Sequence, residues 1–129
     1  LNYPVTDLAA EAPSYSDFAD GFMLTRDSMR WFAAHYLASK DQAADWRVSP
    51  LRAPSLAGVA PALVVTAGFD PLRDEGDAYA RTLREAGVQV EHVCYGGMTH
   101  GFLPMGRLIE TGNRGVAHIA AALRQALQP

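Results

Sequence analysis

Residues 62–67, Ala-Leu-Val-Val-Thr-Ala, form a short run that is apolar at nearly every position and rich in β-branched side chains. A half-exposed strand alternates polar and apolar residues, so a run without alternation reads as a strand covered on both faces, the condition of a parallel sheet. Such a strand reaches its parallel neighbour only through a crossover, and the sequence supplies one. Tyr79, Leu83 and Ala86 recur at helical spacing, and Gly87 stands where a left-handed residue would end that helix. Residues 88–95 form the next strand, with Val88, Val90, His92 and Cys94 on one face and Gln89, Glu91, Val93 and Tyr95 on the other. Val116, Ile119, Ala120, Leu123 and Leu127 share one face of a final helix. Strand, helix, strand, helix in this order predicts an α/β fold: a mostly parallel sheet with flanking helices, built as a right-handed βαβ unit.

Ahead of these units the pattern is looser. Residues 1–5 read as the end of a strand, and residues 6–21, rich in Ala, Ser, Asp and Pro, as an irregular connection. Thr25 is placed to cap a helix on which Met29, Phe32, Ala33, Tyr36 and Leu37 make an apolar stripe, expected to pack against a neighbouring surface. Trp31 lies beside the stripe as a core-edge aromatic, and His35 falls off it towards solvent. Residues 40–61, interrupted by Pro50, Pro54 and Pro61, read as a surface connection.

Two residue types punctuate the carboxyl ends of the two clear strands. Asp70 follows the first, in Gly-Phe-Asp-Pro-Leu-Arg-Asp-Glu-Gly, and His100 follows the second, in Gly-Gly-Met-Thr-His-Gly-Phe. In open α/β sheets that edge is where ligands and chemistry gather. If the strands are neighbours, ~4.8 Å apart, the two side chains come within hydrogen-bonding reach. A carboxylate accepting the Nδ1–H of an imidazole fixes its tautomer and leaves Nε2 as a base. Gly96, Gly97 and Gly101 would let the histidine loop curl back over the sheet. The same residues also fit a plainer role: Asp70-Pro71 as a helix cap with proline at the first position, Asp74 and Glu75 as first-turn acids, and His100 as a loop histidine.

Composition narrows the chemistry. The chain has 129 residues, 49% of them apolar, enough for one domain with a sizeable core. Its formal charge of −3, with acids and bases mixed along the chain, leaves no basic stripe for nucleic acid. No apolar run is long enough for a membrane span. The four histidines show no i, i+4 pair and the single cysteine allows no thiolate cluster, so no metal is expected. Neither G-x-G-x-x-G nor G-x-x-x-x-G-K-[ST] occurs, so no nucleotide cofactor is expected either. Cys94 is expected in the core, and a lone thiol suits a reducing compartment, so the cytoplasm is the expected location. The chain opens at Leu1 as if inside a strand, without initiator methionine or signal-like segment.

The stretch SPLRAPSLAGVAPALVVTAGFDPLRDEGDAYARTLREAGVQVEHVCYGGMTHGF resembles the C-terminal half of the α/β-hydrolase fold in the hormone-sensitive-lipase-like esterases, the bacterial carboxylesterase and lipase group. LNYPVTDL and SYSDFADGFMLTRDSMRWFAAHYL resemble the strand after that family's nucleophile helix and the segment beyond it. The resemblance implies that Asp70 is the acid and His100 the base of a Ser-Asp-His triad; Phe69, Leu72, Met98 and Phe102 flank the pair and read either as lining of the ester pocket or, more often for such residues, as plain packing. It implies a small ester as substrate and no cofactor. That family's serine lies in a G-x-S-x-G elbow beside an HGGG-type loop. This chain has neither, and Ser14, Ser16, Ser28, Ser39, Ser49 and Ser55 all lie outside such a pattern. Residues 1–129 are therefore expected to be the C-terminal part of one catalytic domain, with the nucleophile on an N-terminal segment or a companion chain. A ligand-binding protein on the same scaffold would be expected to lose a triad member, and both Asp70 and His100 are present.

Overall fold

The computed structural model describes residues 1–128. In chain order its elements are α1 (Ser14–Asp17), α2 (Arg26–Tyr36), β1 (Ala62–Phe69), α3 (Arg73–Glu85), β2 (Val90–Thr99) and α4 (Glu110–Ala126), with short 3₁₀ turns at Lys40–Ala44, Pro50–Arg52 and Leu103–Met105. The strands β1 and β2 pair in parallel, with Ala62 opposite Val90 and Ala67 opposite Tyr95. On the other side of β1 the first residues of the chain run parallel to it: the Leu1 ammonium donates to the Leu63 carbonyl at 2.7 Å, Val65 N–H donates to the Leu1 carbonyl, and Asn2 bridges to Val65. The expected strand end is present as this short extended segment.

The unalternated run in β1 is explained by helices on both of its faces. Val65 and Ala67 pack with Phe102 and Leu103, over which α4 lies, while Leu83 of α3 clusters with Leu56 and Val88, with Ala62 and Val90 against it. The crossover helix ends as its glycine predicts. Gly87 has φ +80°, its N–H donates to the Arg84 carbonyl, and Val88 N–H donates to the Leu83 carbonyl, the paired bonds of a Schellman cap. Thr25 caps α2 as expected, its hydroxyl oxygen accepting the Ser28 N–H at 3.1 Å.

Four expectations need correction. The stripe on α2 buries only Met29, against Tyr15, Leu24 and Leu72; Phe32 is 54% and Tyr36 69% exposed, and Trp31 is exposed beside them, because only the first turn of the helix reaches that cluster. On α4 the buried face runs through Gly112 and Gly115 instead of Val116, Leu123 and Leu127. A Cβ at Gly115 would stand 2.6 Å from Leu103 Cδ2, so these glycines let the helix close on Leu103 and Phe102. Cys94 is exposed rather than core: it lies on β2, which has a neighbouring strand on one side only among the described residues. The irregular connection at residues 6–21 contains one regular piece, the single turn α1.

Candidate active site

Both punctuating residues emerge at the same edge. Asp70 directly follows β1 and His100 directly follows β2. Near that edge the register breaks: Ala67 faces Tyr95 but Phe69 faces Thr99, so residues 96–98 bulge opposite Gly68 alone. The approach is close enough that a Cβ on Gly68 would lie 2.0 Å from the Gly96 carbonyl oxygen. Gly96 and Gly97, expected in a loop, thus form a bulge within β2, and Gly101, with φ +76°, makes the turn after the histidine. The bulge redirects the strand end.

The Asp70 carboxylate is 0% exposed and uses its two oxygens differently. Oδ1 accepts the Leu72 N–H at 2.9 Å, while Oδ2 lies 2.8 Å from His100 Nδ1. Asp70 is not the cap of α3, whose N-cap is Leu72 with no side-chain bond; its Oδ1 closes the turn ahead of the helix while Oδ2 partners the histidine. A buried carboxylate needs such donors, and here each oxygen has one. The His100 side chain is 26% exposed, and with Nδ1 engaged it presents Nε2 as the available ring nitrogen. The Tyr3 ring packs against the imidazole, centroid to centroid 4.4 Å with the planes tilted by 55°.

Neighbouring candidates are committed elsewhere. Asp74 binds Arg73 Nε at 2.8 Å and accepts the Ser14 N–H at 2.9 Å. Ser14 Oγ donates to the Pro71 carbonyl, and Ser49 Oγ donates to the Ala43 carbonyl at 2.7 Å. His92 Nε2 lies between Thr66 Oγ1 and Asp77, at 3.1 and 3.0 Å. His118 of α4 leans onto β2 and meets Glu91 at 2.8 Å. Among the described residues no group of three or more His, Cys, Asp or Glu is placed to hold a metal, and no helix is long and apolar enough to cross a membrane.

The four residues expected at a pocket separate into two kinds. Phe102 is fully buried with Val65, Ala67 and Leu103, and Leu72 packs with Tyr15, Leu24 and Met29. Met98 is half-buried against the first of these clusters. Phe69 is 41% exposed and stacks on Phe22 at 5.3 Å, with Phe18 edge-on at 5.7 Å and the Arg73 guanidinium over Phe18. Sequence reasoning missed Tyr3, Phe18, Phe22 and Glu75. The first three lie in segments without periodicity. The fourth reads from sequence as a surface acid in a helix's first turn, yet it is buried: its Oε1 accepts the N–H groups of Thr6 and Asp7, and burial pushes its carboxyl up to about 7 against their pull.

Residues 1–104 match a family model described as the alpha/beta hydrolase fold. The chain is 47% identical over 125 residues to the carboxylic ester hydrolase LipN of Mycobacterium tuberculosis, covering 96% of this chain and 33% of that protein. It is 39% identical to an ethyl acetate hydrolase of Pseudomonas putida, over 97% of this chain and 39% of the relative. Among solved structures, EstE1, a thermophilic carboxylesterase cloned from a metagenomic library, superposes over 100% of this chain and 45% of its own, with a TM-score of 0.95 at 38% identity. The chain thus spans from a third to under half the length of these relatives. With the match reaching from the first parallel segment through both strands and past His100, the chain belongs to the alpha/beta hydrolase fold family.

Proposed function

We propose that these 129 residues form the C-terminal part of one catalytic domain of a carboxylic-ester hydrolase, and that Asp70 and His100 are its acid and base. The observation that carries this is the 2.8 Å contact between Asp70 Oδ2 and His100 Nδ1, made at the carboxyl ends of two adjacent parallel strands. The similarity to named esterases supports it. In this reading His100 Nε2 takes the proton of a serine hydroxyl as that oxygen attacks the ester carbonyl, and Asp70 stabilises the imidazolium so formed. The proton then passes to the departing alcohol, and water repeats the sequence to release the acid. The serine, its G-x-S-x-G elbow and the HGGG-type loop come from an N-terminal segment or a companion chain. Phe69, partly exposed and stacked on Phe22, offers aromatic surface to a small ester, while Leu72, Met98 and Phe102 act from behind by packing. The relative that hydrolyses ethyl acetate makes a short-chain ester the favoured substrate class. The exposed lone thiol of Cys94 suits the reducing cytoplasm, which cell fractionation would test.

The test is kinetic. In the complete enzyme, His100→Ala should lower turnover of p-nitrophenyl acetate by roughly four to six orders of magnitude, and Asp70→Asn by about four. His92→Ala should leave it nearly unchanged, because His92 is tied to Thr66 and Asp77. A fluorophosphonate probe should label a serine outside the 129 residues. Robust hydrolysis by this chain alone, with labelling of one of its own serines, would overturn the assignment.

A further inference from the structure

Tyr3 is the one non-glycine residue among those described with a positive φ, 36°. There Cβ crowds the backbone, and a bulky side chain seldom adopts the conformation unless the surroundings impose it. Two anchors impose it here. Upstream, Tyr3 N–H donates to the Val65 carbonyl at 2.6 Å, fixing the residue to β1. Downstream, Thr6 N–H donates to Glu75 Oε1 and Thr6 Oγ1 donates to the Glu75 carbonyl, fixing the chain to α3. Between these anchors the chain has to bend, and Pro4 restricts how.

The bend delivers the Tyr3 ring onto His100. The two ring centroids are 4.4 Å apart with planes tilted by 55°, and the same tyrosine meets Phe102 edge-on at 6.2 Å. A hydrogen bond at Nδ1 holds His100 by one edge only, so the imidazole can still rock about the Nδ1···Oδ2 line. A second ring packed against the imidazole at 4.4 Å opposes that motion. We propose that Tyr3 is a positioning residue for the base: its ring, held by a strained bend, locks the plane of His100 so that Nε2 keeps one direction. This rests on the reading of Asp70 and His100 as acid and base. The contact is made by the ring, so the tyrosine hydroxyl is dispensable.

Tyr3 also packs against the Val65, Ala67, Phe102 and Leu103 cluster, and the experiment has to separate packing from positioning. In the complete esterase, Tyr3→Phe should keep kcat within about twofold, because the ring plane remains. Tyr3→Gly and Tyr3→Asn place residues that accept a left-handed backbone, which relieves the strain while removing the ring. Both should lower kcat by about ten- to a hundredfold with KM changed by less than about twofold, the pattern of a misaimed base. Both should also broaden the far-downfield proton resonance of the His100 Nδ1–H. If neither accumulates as folded protein, Tyr3→Leu, which keeps bulk without an aromatic plane, carries the same kcat measurement. A lowered thermal midpoint with kcat per folded molecule and the resonance both unchanged would show a packing role alone and overturn the proposal. His100→Ala separates the two levels. If it abolishes activity while the ring-less variants keep theirs, only the role of Tyr3 falls; if it leaves activity intact, the acid–base reading falls and takes this with it.

Discussion

Asp70 and Glu75 are five positions apart and both buried, yet the fold partners their carboxylates differently. Each oxygen of Asp70 has its own donor. Glu75 is 3% exposed and takes both of its backbone donors on Oε1. Burial pushes its carboxyl up to about 7 in the fold against an ordinary 4.5. Between those values the folded protein binds more protons here than the unfolded chain does, so stability falls as pH rises through the window and levels off above it. The loss is of order 3 kcal/mol. Glu75→Gln keeps an acceptor for Thr6 and Asp7 but cannot ionise. The difference in urea midpoint between the two proteins should therefore grow in favour of the variant from pH 5 to pH 7.5. A difference that does not change with pH would show that Glu75 is already ionised across this range.

At the scale of elements, the sheet edge depends on how closely β1 approaches the bulge in β2. Gly68→Ala would drive a Cβ into the Gly96 carbonyl, a backbone atom that has nowhere to retreat without moving the strand. It should cost about 3 kcal/mol of stability by chemical denaturation and displace Asp70, two positions on. Gly97→Ala meets nothing within 4 Å and should stay within about 1 kcal/mol of wild type. Equal losses from both would mean the bulge is set by backbone freedom and not by the close approach. The same contrast explains what was legible in the sequence. The buried strand β1, the crossover α3 and its glycine cap each follow from a local pattern that the fold enforces locally. Asp70 and His100 were legible because they sit at strand ends, where topology converges. The bulge was not, since glycines serve a loop and a bulge alike, and only the pairing of Ala67 with Tyr95 and Phe69 with Thr99 distinguishes them. The apolar stripes of α2 and α4 were read correctly as stripes, but apolar composition does not say what surface meets them. On α4 the closest packing falls to glycines that carry no hydrophobic signal. Tyr3 belongs with these: its importance comes from a contact with His100, 97 positions away, which no window along the chain contains.

For the whole molecule, three of the surfaces that the described residues leave uncovered bear on assembly. The parallel segment at Leu1 and Asn2 borders β1 on one side only, Trp31, Phe32 and Tyr36 project from α2, and Val116, Leu123 and Leu127 project from α4. Single exposed apolar residues are ordinary, but aromatic clusters and an unpaired strand edge in one molecule are the conditions for association. Under the proposed function, the strand edge beside Leu1 is where the serine-bearing strand would pair, since LNYPVTDL resembles the strand that follows the family's nucleophile helix. The purified 129-residue chain should therefore bind a hydrophobic dye such as anilinonaphthalene sulfonate and elute above its monomer mass at micromolar concentration. Adding the segment that carries the serine elbow should suppress both signals together with the appearance of esterase activity, because one docking event completes the sheet and brings the nucleophile to His100. The order of events is informative. If dye binding falls without activity, the segment covers the apolar faces but does not align the triad; if activity appears without loss of dye binding, the exposed aromatic face of α2 serves a different surface. A monodisperse, dye-silent monomer would show that these faces are covered within the 129 residues in solution, and the pairing proposed at Leu1 would fail.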